Sequence, residues 1–372
     1  MRDDEAMARA LHVSAAARRR SAPNPWVGCV LVRDGVTVGE GASLAPGGAH
    51  AEAVALAQAE DRARGATAYV TLEPCSHDGR TPPCADALIA AGVTRVVAAL
   101  EDPDPRVAGT GFARLREAGV EVVTGVGADQ AARELAPYLH HRRTGRSFVV
   151  AKVAMSLDGR IAAADGTSQW LTSTAARADA HELRADSQAI VVGAGTAIAD
   201  RPKLTVRDVA EMPDRQPLRV LLDARGRVPA TGPLFDTALA PTLVITTADT
   251  LPEAVDAWRS AGAKVETVAA AEHGSGVDLD DVFTLLGREG VLQVLVEGGS
   301  AITASVFGRY AGRLVVYVAP VALGSNGVPV LAAPGPETMA DADIDRYRLV
   351  GVRQLGPDAR LDYELVDYEL VD

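Results

Sequence analysis

Apolar and polar positions along this chain fall into two recurring periods, and the switches between them outline an α/β protein. Residues Glu5–Arg18 place Ala and Leu on one helical face, which predicts a first helix. Pro23-Asn24-Pro25 reads as a rigid turn, followed by an apolar strand over Val27–Val32. Asp34-Gly35 is a hairpin signal leading to a second strand over Val36–Gly39. The pattern then predicts a helix over His50–Arg64, a strand over Ala68–Leu72, a helix over Cys84–Ala91 closed by Gly92, and a strand over Arg95–Leu100. A helix at Gly111–Ala118 and a strand at Val120–Thr124 complete the order β-β-α-β-α-β-α-β, a sheet sandwiched by helices.

A further helix and a basic run, His140 to Arg146, follow; the run differs in composition from both flanks and is read as a domain boundary. The domains expected are 1–145 and 146–372. Strands are predicted at Phe148–Met155, Ala189–Val192, Arg219–Leu222, Thr242–Thr246, Val291–Val296 and Arg313–Val318. Helices are predicted at Thr174–Ala185, Glu253–Ser260 and Ser300–Phe307, giving a second α/β sheet. No repeat of solenoid length is visible, although Tyr-Glu-Leu-Val-Asp occurs twice at the C-terminal end.

Composition narrows the function. A length of 372 residues exceeds one ordinary core, and the low aromatic content of 4% points to cores of small aliphatic side chains. A formal charge of −12 argues against a general nucleic-acid binder, which needs a positive footprint, but leaves room for a local phosphate pocket. No signal-peptide pattern and no apolar run of about 20 residues are present, so no membrane contact and a cytoplasmic location are expected. Of three cysteines, Cys29 lies in an apolar run and reads as a buried strand residue. Cys75 and Cys84 stand among prolines and polar residues, where a metal ligand is expected.

His50 with Cys75 and Cys84 offers three ligands to zinc and leaves the fourth position for water, the pattern of a catalytic rather than a structural site. Glu52, two residues after His50, is placed to take a proton from that water and return it to a ring nitrogen and a departing amine. This is the H-x-E…P-C-x-x-C logic of zinc deaminases, with eight residues rather than two between the cysteines. Each residue alone is more often structural; the ordered combination outweighs that reading.

His50-Ala51-Glu52, Thr71-Leu72-Glu73-Pro74-Cys75-Ser76-His77 and Gly79-Arg80-Thr81-Pro82-Pro83-Cys84, with Pro23-Asn24-Pro25 and Val27-Gly28-Cys29-Val30, resemble the bifunctional deaminase-reductases of riboflavin biosynthesis. The wide cysteine loop is normal in that family. The resemblance implies a cytidine-deaminase-like three-layer α/β/α domain that removes an amino group from 2,5-diamino-6-(5-phosphoribosylamino)pyrimidin-4-one. It implies that Asn24 holds the ring, and that Arg80 meets the phosphate; a solvated loop cation is the alternative for Arg80. His77 reads as a loop residue. Asp102-Pro103-Asp104-Pro105 departs from the family's more usual D-P-N-P.

In the second half, Lys152–Gly159 is a strand running into a tight turn, and Gly166–Trp170 offers hydroxyl, amide and aromatic groups. Val192-Gly193-Ala194-Gly195-Thr196 reads as a glycine-rich turn after a strand. Glu297-Gly298-Gly299-Ser300 follows an apolar strand and opens a helix whose N–H groups suit a phosphate. There is no G-x-G-x-x-G after a strand, so an ordinary Rossmann domain is disfavoured. These segments resemble the reductase half of the same enzymes, which implies a dihydrofolate-reductase-like α/β fold and NADPH delivering hydride to the ribosyl C1′ to leave a ribityl chain.

Carried over by position, Ala154, Trp170, Thr196, Asp200 and Gly299, Ser300, Ala301, Ile302, Thr303, Ala304 and Ser305 face the cofactor. Ser168, Arg184, Leu204, Arg207 and Glu297 face the substrate, the arginines suiting its phosphate. Lys152 and Asp200 are candidates for proton handling, with a structural ion pair as the alternative. Ala224 stands where the family more often has Ser. The expected cofactors are Zn2+ and NADPH, the expected partners small phosphoribosylated pyrimidines and further copies in a homo-oligomer. The competing expectation is a deaminase whose C-terminal half is a non-catalytic binding or oligomerisation module.

Overall fold

The computed structural model describes residues 1–77, 82–272, 276–335, 337–339 and 346–366. The chain divides into two compact units, Met1–Gly145 and Arg146–Asp372.

The first unit is built on five strands: β1 (Gly28–Arg33), β2 (Val36–Ala42), β3 (Thr67–Val70), β4 (Arg95–Ala98) and β5 (Glu121–Thr124), in the order β2-β1-β3-β4-β5. The β1–β2 hairpin is antiparallel and β3 to β5 are parallel. The helices are α1 (Asp3–Ser14), α2 (Ala51–Ala59), α3 (Cys84–Ala90), α4 (Thr110–Glu117) and α5 (Ala128–Thr144). Alternation along the strands decides the layers. Val30, Val32, Tyr69 and Val97 turn to one face and pack with Ala6, Met7, Ala10 and Leu11 of α1 and Ala131 of α5. On the other face β2 offers only glycines to α2. A Cβ on Gly41 would lie 2.5 Å from the Ala51 carbonyl oxygen, and one on Gly39 2.3 Å from that of Ala55. The helix therefore rests directly on the strand backbone.

One expectation is corrected here. The predicted helix over His50–Arg64 ends as α-helix at Ala59, because Glu60 takes a positive φ of 50°. Within the basic run read as a domain boundary, His140 to Thr144 are the last turns of α5, closed by Gly145 in the left-handed region. Cations there also suit the negative end of the helix dipole.

The second unit is a nine-stranded mixed sheet. Its strands are β6 (Phe148–Ser156), β8 (Ala189–Gly193), β9 (Leu218–Leu222), β10 (Thr242–Thr246), β11 (Lys264–Thr267), β12 (Gln293–Glu297), β13 (Ala311–Ala319), β15 (Tyr347–Leu355) and β16 (Asp358–Leu365). They run β11-β10-β9-β8-β12-β6-β13-β16-β15, parallel as far as β13 and antiparallel beyond it. β7 (Arg160–Ala162) and β14 (Val328–Pro329) form a small separate ribbon. The helices are α6 (Thr174–Ala185), α7 (Ala194–Asp200), α8 (Pro252–Ser260), α9 (Leu279–Arg288) and α10 (Ser300–Val306). Both faces of the parallel part are covered, which is why its strands read as unbroken apolar runs. One face packs Val149, Val191, Val220 and Val294 with Val282, Phe283 and Leu286 of α9. The other packs Ile190, Val192 and Leu221 with Ala194 and Ala197 of α7 and Trp258 of α8.

Candidate active sites

In the first unit, the contact of α2 with β2 sets the position of His50, the residue immediately before the helix in extended conformation, and of Glu52 in its first turn. Cys75 follows β3 and Cys84 opens α3 after Pro83. The His50 Nδ1 lies 3.5 Å from the Cys75 sulfur and 3.3 Å from the Cys84 sulfur, and the Cys84 backbone N–H donates to the Cys75 sulfur at 3.4 Å. The candidate ligand atoms of these three side chains all lie within 4.8 Å of one another.

A residue that the sequence reading passed over holds this arrangement. The buried Glu73 carboxylate accepts the backbone N–H groups of Asp102 (3.2 Å), Gly109 (3.0 Å), Gly111 (2.9 Å) and Phe112 (3.2 Å). It thereby ties the cysteine loop to the start of α4, two residues from Cys75. Gly111 is needed there, since a Cβ would sit 2.0 Å from the Pro74 carbonyl oxygen.

The electrostatics suit a dication. Hydrogen bonds from Cys84, then from His50, bring the Cys75 thiol down to about 4 against its burial. The thiolate so formed, together with burial, pushes Cys84 up. Two sulfurs this close disfavour a charge on both, and a divalent ion would offset that repulsion. One imidazole and two closely spaced sulfurs are the donor set that zinc prefers, so the residues present fit the metal. Burial, then the Cys75 charge, raise the Glu52 carboxyl to about 7, the range of a proton shuttle at neutral pH.

His50, Glu52 and Cys75 line a cavity of about 380 Å³ shared with Asn24, His77, Asp102, Asp104, Tyr138 and Arg142 among others. His77 is thus a loop residue that also lines the site. Asp104 accepts Arg106 Nη2 at 2.6 Å and Nε at 3.0 Å, and Arg142 Nε lies 3.7 Å from it. Arg106 holds the Asp104 carboxyl at about 2. The Asp102 carboxylate takes the Tyr138 hydroxyl at 3.1 Å. Arg142 belongs to the run read as a boundary, and only the turn of α5 brings it here. Cys29 is fully buried in β1, as expected of a strand residue. Arg80 lies outside the described residues.

In the second unit the candidates gather at the carboxyl ends of parallel strands, where open α/β sheets bind ligands. Glu297 stands opposite Lys152 in the β12–β6 register, and β8 ends beside them at Gly193. Arg184 of α6 grips the Glu297 carboxylate through Nε (2.5 Å) and Nη2 (2.8 Å) and donates Nη1 to the Thr205 carbonyl at 3.1 Å. Burial would raise the Glu297 carboxyl, but the Arg184 charge overrides it and holds the group at about 2. Burial pulls the Lys152 ammonium down against the attraction of Glu297. Asp200 is raised by desolvation and pulled back by Lys152.

The glycine-rich segment after β8 is not a turn: Gly193 precedes α7, which contains Ala194, Gly195 and Thr196. The Gly299 N–H donates to Thr196 Oγ1 at 2.9 Å, so α7 and α10 begin side by side. Gly298 has no room for a side chain, whose Cβ would fall 1.8 Å from Ile302 Cγ2, whereas a Cβ on Gly195 would meet nothing within 4 Å. This bare backbone edge fits the close approach of a dinucleotide. Ala301 and Ser305 are on the exposed side of α10, Ile302 and Ala304 half-buried, and Thr303 turned into the core. The Ser300 hydroxyl donates to the Pro329 carbonyl. Trp170 is 66% exposed with the Arg177 guanidinium 4.4 Å above its ring, and Ser168 and Ala154 are half-buried. Leu204 is 2% exposed and packs in the core, so only its backbone can face a ligand; Arg207 is exposed.

Residues 1–100 match the model of the cytidine and deoxycytidylate deaminase zinc-binding region, and residues 147–361 that of the RibD C-terminal domain. The chain is 41% identical over 372 residues to the riboflavin biosynthesis protein RibD of Escherichia coli K12, covering 97% of this chain and 99% of the relative. It is 43% identical over 331 residues to RibD of Chlamydia pneumoniae, covering 88% and 87%. Among solved structures, Acinetobacter baumannii RibD superposes with a TM-score of 0.87 at 38% identity, covering 98% and 99%. A Thermotoga maritima diaminohydroxyphosphoribosylaminopyrimidine deaminase/5-amino-6-(5-phosphoribosylamino)uracil reductase superposes with a TM-score of 0.84 at 30% identity, covering 98% of each chain.

Proposed function

Because the chain belongs to the RibD family of riboflavin biosynthesis, deaminase and reductase in one polypeptide, we propose that residues 1–145 deaminate 2,5-diamino-6-(5-phosphoribosylamino)pyrimidin-4-one and that residues 146–372 reduce the ribosyl chain of the product. The observation that carries this reading is the gathering of His50, Cys75 and Cys84 within 4.8 Å, with Glu52 on the same cavity wall.

His50 Nδ1 and the two sulfurs hold zinc, which when bound supplies a nucleophile by acidifying water at neutral pH. The Glu52 carboxylate would take one proton of the attacking water at an Oε and give it to the ring nitrogen, then carry the second, from the added hydroxyl, to the amino group, which leaves as ammonia. Asn24 orients the ring, and Glu73 keeps the cysteine loop in register with α4. Arg80 is retained as a phosphate contact. In the second unit the backbone edge at Thr196 and Gly299–Ser305, with Ala154, Trp170 and Asp200, binds NADPH, which supplies hydride. Glu297 and Ser168 face the sugar, Arg207 its phosphate, and Lys152, with the charge of Asp200 felt nearby, holds the proton for the ring-opening oxygen.

A cytoplasmic location is supported by three unpaired cysteines. A homo-oligomer is supported by Leu349 and Val352, 48% and 62% exposed on the edge strand β15. The test is direct. Purified protein given the diaminopyrimidinone is expected to yield a product heavier by one mass unit with release of ammonia, and added NADPH is then consumed. An unchanged substrate mass overturns the deaminase assignment; an unchanged nicotinamide absorbance overturns the reductase one.

A further inference from the structure

The segment Pro202–Asp208 has no regular structure, yet its conformation is closely specified. Three of the five non-glycine residues with positive φ among the described residues lie in or beside it: Arg201 (42°), Leu204 (50°) and Asp208 (57°). Such a residue is strained and persists only where its surroundings over-determine it. Among the described residues no backbone group of 202–208 pairs with another backbone group. Side chains take that role instead.

Gln216 acts like a short piece of strand. Its Oε1 accepts the Val206 N–H at 2.7 Å and its Nε2 donates to the Val206 carbonyl at 3.1 Å. Arg184 donates to the Thr205 carbonyl at 3.1 Å, and the buried Arg219 reaches the Lys203 carbonyl at 3.4 Å. Leu204 and Val206, 2% and 3% exposed, anchor the segment below, which leaves Arg207 facing outward. Arg184 also grips Glu297, so the same guanidinium joins this segment to the end of β12.

We propose that Gln216 is a positioning residue of the reductase: by clasping both backbone groups of Val206 it fixes the neighbouring Arg207 as the cation that receives the substrate's phosphate. This rests on the reading above that Leu204 and Arg207 face the substrate. Gln216 does not touch the substrate; it removes from binding the cost of ordering a strained loop. Arg184, engaged by Glu297 and Thr205, then serves the shape of the site more than the phosphate.

The experiment uses the full-length zinc-loaded chain carrying Gln216→Met, close in length and without the two hydrogen bonds, beside Arg207→Ala. For Gln216→Met we expect a rise of about tenfold in the KM for the deaminated phosphoribosyl substrate, with the KM for NADPH and the kcat within about twofold. Tryptic cleavage after Lys203 and Arg207 is expected to accelerate while the rest of the chain stays protected. Arg207→Ala is expected to raise the same KM. If Arg207→Ala raises it and Gln216→Met does not, the positioning role is overturned and the site reading stands. If Arg207→Ala leaves it unchanged, the site reading itself is overturned. A Gln216→Met chain in which both KM values rise together, with a lowered melting temperature, assigns Gln216 to general stability and overturns the proposal.

Discussion

Glu52 and His50 lie two positions apart at the start of one helix, so their relative placement follows from helix geometry as soon as that helix is assigned. That is why this part of the site could be read from the sequence. The imidazole, two thiols and a carboxylate are chemically distinctive, and their order along the chain carried the deaminase reading. Asp102, Tyr138 and Arg142 are ordinary residues in ordinary surroundings, and only proximity makes them part of the cavity. Glu52→Gln keeps the size of the side chain and leaves His50, Cys75 and Cys84 in place but removes the proposed proton carrier. Its deaminase kcat is expected to fall by about a hundredfold or more. Bound zinc, measured by metal analysis, stays stoichiometric and the reductase rate is unchanged; a variant that still deaminates normally shows that another group moves the proton.

Element by element, the strands of the parallel sheets and most helices were legible because buried strands read as apolar runs and amphipathic helices as a 3.6-residue stripe. The misreadings have separate causes. Gly193 and Gly195 suggested a turn, but burial of Ala194 and Ala197 against Ile190 and Val192 makes that segment α7. The β15–β16 hairpin went unpredicted because β15 is exposed at most positions and shows no alternation between faces. The contact of α2 with β2 was equally invisible, since glycine in a strand signals only that something approaches closely. In Gly41→Ala the new Cβ meets helix backbone, which cannot turn aside. We expect a loss of about 1–3 kcal/mol in unfolding free energy for the first unit. Because α2 carries His50 and Glu52, a deaminase kcat/KM lower by about tenfold should accompany it, while NADPH oxidation by the second unit is preserved. An unshifted melting transition with full deaminase activity would show that the helix yields at no cost.

At the scale of the whole molecule, each of the two units has its own sheet and its own buried clusters. Among the described residues, the cluster that could hold a metal ion, His50, Cys75 and Cys84, lies in the first. Dialysis against a strong chelator is therefore expected to abolish deamination and leave reduction of the pre-deaminated substrate intact, with zinc restoring the first activity. Loss of both activities would show that the metal also supports the second unit. The sequence by itself determined which atoms are available for chemistry and which segments alternate or run apolar, because residue type and periodicity are local properties. The tertiary structure alone decided that β12 lies between β8 and β6, which brings Glu297 to Lys152 and Gly299 to Thr196. It also decided that Gln216 clasps Val206 and that the last turns of α5 complete the cavity beside His50 and Cys75. Strand order and loop closure depend on which distant apolar faces bury one another, a choice that no short window of sequence records.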